Sequence, residues 1–416
     1  AYGWRARVPA EPRRSIVPRV APRETRLRAR AVITMQIVWL AEIKWDYLRT
    51  RKQQLVGRRP RDVDVLFFEP FVRGRDNRYE LRDADGVRVA TIPFVKSVPG
   101  GPARPLMDRA FVRRALDASA LRRVRAHLRA AGIDVRDCVC VISNVYAIHV
   151  AAALGARAIV YDCNDAHAEF PGMPVWTRDY QTETLRRADT VIVSSRGLIP
   201  MAERARGSLE GVHLVGNGVD FALFAVASAE AAAAAPGPIR VGYVGAVAPW
   251  FDFDLVTAMA RSRPDWHFEI VGPVLGGVEH ALEELAAHPN VAVSGPVPHA
   301  EVPGVLARYT VGMIPFKKNA LTAGVNPNKL YEYLAAGLPT VATSFSPDVA
   351  AEPGVIALAD DAPAFEAACG LLGAARSDPG RLQTMRARAA EIARAHDWNT
   401  IAGVFWSHVV NARRSS

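Results

Sequence analysis

Short apolar runs of strand length alternate with stretches of helical periodicity along almost the whole chain. In the first half the strand-like runs fall at 32–40, 63–68, 139–143, 158–161 and 190–194. A hairpin is predicted over 79–92, turning at Asp85-Gly86, a dipeptide that suits the positive φ angles of a tight turn. The stretch 106–131 reads as helix, because Leu121, Val124 and Leu128 share one face while Arg122, Arg123, Arg125 and Arg129 point elsewhere. Those arginines are either a solvated face or a docking surface for a phosphate-bearing acceptor or a membrane. At 227–238 the pattern breaks, Ala231 to Ala235 running into Pro236-Gly237-Pro238. It then restarts with runs at 239–244, 267–271, 291–293, 311–314, 340–342 and 355–358. Repeated β–α alternation predicts parallel sheets covered on both faces by helices. The fold class expected is therefore α/β, two doubly wound Rossmann-like domains facing each other across a cleft. In such sheets ligands sit outside the carboxyl ends of the strands.

The predicted organisation is a basic disordered tail at 1–30, an N-terminal domain at 31–232, a C-terminal domain at 233–395 and a last helix within 396–416. Ile401, Val404, Phe405 and Val409 give that helix an apolar face, expected to pack back on the N-terminal domain.

Charge changes this picture little. The formal net charge is +10, but residues 1–30 hold nine arginines against two glutamates. The high pI thus describes a tail, either a solvated extension or an arm that touches anionic membrane, and argues against a nucleic-acid-binding core. Four cysteines, Cys138, Cys140, Cys163 and Cys369, lack C-x-x-C spacing, which points to a reducing, cytoplasmic compartment. The longest apolar run, 31–43, carries Thr34, Gln36 and Glu42 and falls short of the ~20 residues of a membrane span. No secretory leader is read at the start. The expected location is cytoplasmic, with peripheral contact at the inner face of the membrane left open.

The chemistry concentrates in 326–342. Asn326 suits a helix N-cap, Pro327 the first helical position, and Gly337 the stop before Pro339. Lys329 then adds positive charge to an already positive helix end, an arrangement that an anion would relieve. Glu332, one turn on, can accept hydrogen bonds from a pair of sugar hydroxyls. A diphosphate beside a ribose would satisfy both groups. Gly242 to Gly245 form a turn after the first strand of the second domain, where backbone can approach a ligand closely, and Gly272 ends a neighbouring strand at the same edge.

These segments, taken together, resemble the GT-B glycosyltransferases, especially the family-4-like glycosyl transferases group 1. The resemblance covers nearly all of 32–410. Besides 326–339 it is carried by Trp45-Asp46 with 51–54, Tyr161-Asp162-Cys163-Asn164-Asp165, Asn217-Gly218-Val219-Asp220, 242–246 with Trp250-Phe251-Asp252, Val271-Gly272-Pro273 and Ile314-Pro315-Phe316. It implies a nucleotide-diphospho-sugar held by the C-terminal domain and an acceptor held by the N-terminal one. It implies ribose contacts for Glu332, main-chain contacts near Val297 to the base, and a diphosphate held by helix-terminal amides with a basic side chain. Asp165, on the acceptor-facing edge, then orients an acceptor hydroxyl or takes its proton, or else serves only as a turn or helix cap. His149 reads as a packed helix residue.

Two departures stand out. The retaining members' usual first carboxylate, eight residues before Glu332, is Gly324, and the loop 246–250 carries no cation. Lys317, Lys318 and Lys329 are the nearest candidates to offset charge on a leaving diphosphate. Asp252-Phe253-Asp254 imitates a metal-binding pair, but Asp252 stands where a helix should begin, so no metal and no cofactor are expected. The sequence predicts a glycosyltransferase using a UDP- or GDP-sugar and a glycan, lipid-linked or small-molecule hydroxyl acceptor, with retention of configuration. An epimerase of the same fold, or a non-catalytic nucleotide-sugar-binding partner, is the alternative.

Overall fold

The computed structural model describes residues 35–46, 49–95, 104–232, 237–350 and 352–413. The arginine-rich tail at 1–30 lies outside them.

The first sheet has eight strands: β1 Met35–Leu40, β2 Val63–Pro70, β3 Arg82–Ala84, β4 Val87–Ile92, β5 Cys138–Ile142, β6 Ala158–Cys163, β7 Thr190–Val193 and β8 Val212–Leu214. Their order is β3-β4-β2-β1-β5-β6-β7-β8, parallel except for the β3–β4 hairpin. That hairpin turns at Asp85-Gly86, whose φ angles of 54° and 74° match the expected tight turn. β8 went unpredicted, because three residues at a half-exposed sheet edge leave no apolar period to read. The second sheet has six strands: β9 Arg240–Val244, β10 His267–Val271, β11 Val291–Ser294, β12 Val311–Ile314, β13 Thr340–Ala342 and β14 Ile356–Leu358. They run in the order β11-β10-β9-β12-β13-β14, all parallel.

Both faces of the first sheet are buried, which is why its central strands are continuously apolar. Val38, Leu40, Leu66 and Phe68 face one layer of helices, while Ile37, Trp39, Val65 and Phe67 face the other. Part of that second layer is the last helix, Trp398–Asn411. Its Phe405 stacks on Trp39 with ring centroids 5.8 Å apart, and Trp406 Nε1 donates to the Leu55 carbonyl at 2.9 Å.

The chain therefore crosses between the sheets twice, and the crossings touch. Val219 N donates to the His396 carbonyl and Trp398 N to the Val219 carbonyl, both at 2.9 Å. Near the first crossing the alanine-rich stretch is helical as far as Ala232, within Phe221–Ala232. Alanine is the strongest helix former, and Phe224 buries this helix in the C-terminal core.

Candidate functional site

The carboxyl ends of both sheets border one interdomain cavity of about 360 Å³. Asp165, Phe170 and Asn217 line it from the N-terminal side; Gly245, Trp250, Phe316, Asn326, Asn328, Lys329 and Glu332 line it from the other.

The C-terminal wall is built around the helix Asn328–Ala335. Tyr331, Leu334 and Leu330 bury one face, and Tyr333 accepts a hydrogen bond from Val244 N at 2.8 Å, tying the helix to the end of β9. Gly337, with φ 67°, stops it as expected. Its start differs from the expectation: Pro327, not Asn326, is the N-cap residue, and no side chain caps the helix. Asn326 is engaged across the domain boundary instead, its carbonyl accepting from Asn217 Nδ2 at 2.7 Å. The first amides of the helix are thus left for whatever enters the cavity. Asn328 Oδ1 is a further buried acceptor that has no partner among the described residues.

Lys329 runs from this helix end across two aromatic faces, its Nζ 4.4 Å from the Phe316 ring centroid and 4.9 Å from that of Tyr243. Burial pushes its pKa down to about 8, opposed by the negative charge of Glu332. Glu332 Oε1 lies 3.5 Å from His299 Nε2. A Cβ on Gly245 would come within 2.9 Å of Lys329 Cε, and a Cβ on Gly272 within 2.0 Å of the Gly245 carbonyl oxygen. Gly272 does not line the cavity; it lets the Gly245 turn lie where it does.

The N-terminal wall carries Asp165 just beyond β6. Asn164 Nδ2 donates to its carboxylate and Gln181 Nε2 to its carbonyl, the latter at 2.9 Å. Burial raises its pKa to about 7, with Glu42 and Asp162 adding to the rise and Lys52 opposing it. Behind it lie two buried ion pairs, Lys52 with Glu42 and Arg51 Nε with Asp162 at 2.9 Å. Arg51 Nη1 also donates to the Gly216 carbonyl at 2.6 Å, reaching the crossover. The helix Arg51–Gly57 therefore presents no basic solvent face at its start: Arg51 and Lys52 are each 4% exposed. The charges point into the sheet edge because unpaired carboxylates wait there. His167, beside Glu42, is held neutral, burial lowering its pKa to about 4.

Of the residues singled out from sequence, Asp165, Gly245, Asn326, Lys329 and Glu332 meet at the cavity. Lys317 does not: its side chain is exposed. Lys318 is exposed as well, and its ammonium is held by Asp360 at 2.7 Å and Ser344 at 2.9 Å. Val297 packs against the C-terminal core rather than lining the cavity. His149 sits between Asp117 at 3.1 Å and Glu183 at 2.9 Å. Asp252 caps the helix Phe253–Ser262 by accepting from Leu255 N at 3.1 Å. No group of three or more His, Cys, Asp or Glu side chains among the described residues is placed to hold a metal.

Phe170, Trp250 and Phe316 were missed as site residues. Phe316 follows a strand end and could have been found that way; Phe170 lies in a loop that gives no such signal. Phe170 and Trp250 meet edge to face across the cleft, ring centroids 6.4 Å apart.

Gly324 packs closely against the N-terminal domain. A Cβ there would lie 2.8 Å from Leu198 Cδ2, and one on Gly197 only 1.8 Å from the Ala323 carbonyl oxygen. Asp348 closes the same contact, accepting from Ser195 Oγ at 2.6 Å and Arg196 N at 2.8 Å.

Residues 238–373 match the family described as glycosyl transferases group 1. TuaH of Bacillus subtilis strain 168, named as a glycosyltransferase of teichuronic acid biosynthesis, is 30% identical over 261 residues. That match covers 58% of this chain and 64% of the length of TuaH. Among solved structures, HepE of Anabaena in complex with UDP is 16% identical with a TM-score of 0.63, over 90% of this chain and 100% of that one. Sucrose-phosphate synthase of Thermosynechococcus elongatus is 16% identical with a TM-score of 0.67, over 91% and 100%.

Proposed function

We propose that the chain, which has the GT-B fold and whose residues 238–373 match the glycosyl transferases group 1 family, transfers a sugar from a UDP- or GDP-sugar to a hydroxyl acceptor. The observation that carries the proposal is the uncapped helix end with Lys329 and Glu332 on one wall of a cavity whose other wall bears Asp165. In this reading the diphosphate lies against the first amides of Asn328–Ala335, and Lys329 offsets the charge that grows on it as the sugar leaves. Glu332, steadied by His299, accepts hydrogen bonds from the ribose. Asp165, with a pKa near the working pH, takes the acceptor's proton. The contact of Ser195 and Arg196 with Asp348 keeps the domains together over the reacting groups, which excludes water that would hydrolyse the donor. Retention of configuration is kept, with backbone of 321–325 supplying what the missing carboxylate does elsewhere. Likeness to TuaH supports a role in polysaccharide biosynthesis. Among the described residues no helix is long and apolar enough to cross a membrane, and the four cysteines are buried thiols, which fits a cytoplasmic enzyme.

The test is a thermal-shift screen of UDP, GDP, dTDP and ADP, followed by incubation of the matching nucleotide-sugars with and without acceptors. A stabilising nucleoside diphosphate and acceptor-dependent release of it are expected. Conversion of the sugar with no acceptor present would instead identify an epimerase, and tight binding without turnover a non-catalytic partner.

A further inference from the structure

The helix Ala110–Ala130 is long and solvent-facing on one side. Phe111, Arg114, Ala118, Arg122, Arg125 and Arg129 follow one another at intervals of three and four residues, and all are exposed. They form a single stripe roughly 27 Å long at the α-helical rise. The helix has one acidic residue, Asp117, which is buried against His149 at 3.1 Å. Arg125 Nη2 donates to the Ala153 carbonyl at 2.6 Å, and among the described residues no carboxylate pairs with Arg114, Arg122 or Arg129. A solvated helix would normally intersperse carboxylates among such arginines.

At its amino end the stripe meets large apolar side chains. Phe111 is 69% exposed, Leu106 57% and Val175 91%. They belong to separate segments that are fastened together, since Trp176 Nε1 donates to Asp108 at 2.8 Å and the Arg113 guanidinium lies 4.6 Å over the Trp176 ring. Val175 ends the loop that brings Asp165 and Phe170 to the cavity. Single exposed apolar residues are ordinary, but a fixed group of them at the end of a cationic stripe is not.

We propose that this face docks on an anionic lipid bilayer, the arginines lying over the headgroups and Leu106, Phe111 and Val175 entering the acyl boundary. Charge complementarity selects the surface, and the apolar tips select a bilayer over a soluble polyanion, which would leave them in water. Resting on the transfer reaction proposed above, the orientation also brings the acceptor side of the cleft toward the membrane, so that the acceptor is presented from the bilayer.

The test is co-sedimentation of the full chain with phosphatidylcholine vesicles, with and without phosphatidylglycerol, at rising salt. Each arginine near such a surface strengthens binding about fivefold. Binding that needs phosphatidylglycerol, and that falls at least about 100-fold in Arg114→Glu/Arg122→Glu/Arg129→Glu, is expected. Leu106→Ser/Phe111→Ser/Val175→Ser should weaken it roughly tenfold. Wild-type affinity in the arginine variant would overturn the proposal and move the contact to another part of the chain; unchanged affinity in the apolar variant would overturn bilayer insertion. Both variants should keep their thermal shift with nucleoside diphosphate, so failure of the docking surface and failure of the donor site are read separately.

Discussion

The two walls of the cleft hold their charged groups in opposite ways. The C-terminal wall takes its charged groups from one contiguous segment, 326–337, and leaves them open: an uncapped helix end, a lysine resting on aromatic rings and a glutamate facing a histidine. The N-terminal wall gathers Glu42, Arg51, Lys52, Asp162 and Asp165 from distant parts of the chain and pairs most of them in the interior. An open wall suits a site that must compensate charge arriving with a ligand. A pre-paired wall suits a site that must hold one carboxyl at a working pKa.

That contrast can be broken most severely at Asp165. Asp165→Asn should lower kcat by ~10²–10⁴ while leaving nucleotide affinity unchanged. Lys329→Ala should cost ~10²–10³ in kcat/KM, because charge developing on the diphosphate loses its compensation. Cutting the pre-paired wall acts on stability instead. Arg51→Met leaves Asp162 buried and unpaired, a loss of about 3–5 kcal/mol in chemical denaturation. Lys318→Ala removes only an exposed ion pair and should change stability by less than ~1 kcal/mol, with donor affinity intact.

Ionisation sharpens the same comparison. Asp165 must lose its proton to act and Lys329 must keep its own. kcat/KM should therefore rise as pH passes about 7 and fall as it passes about 8, a narrow bell. Because Asp165 holds its proton more tightly folded than unfolded, it favours folding at low pH. That contribution is lost as pH climbs from the ordinary aspartate value of 3.8 toward about 7. Asp165→Asn should flatten this part of the stability–pH curve, measured by urea melts at stepped pH.

The two walls also differed in how far the chain itself revealed them. The donor helix could be read because its residues are neighbours: an anion-seeking lysine one turn from a glutamate, closed by a glycine, is local information. Even there the cap was placed one residue early, since the contact of Asn326 with Asn217 depends on how the domains meet. The pairing of Lys52 with Glu42 and of Arg51 with Asp162 joins segments far apart in the chain, so no local pattern reveals it. Alternating apolar runs carried the two sheets almost complete. Gly324 is legible as a departure, but its packing on Leu198 across the domain boundary is not.

The most direct measurement is calorimetric titration of UDP and GDP into the wild-type chain and into Lys329→Ala/Glu332→Ala. Saturable binding of one of them to the wild type is expected, weakened at least ~100-fold in the variant. Equal affinity in the two proteins would contradict it.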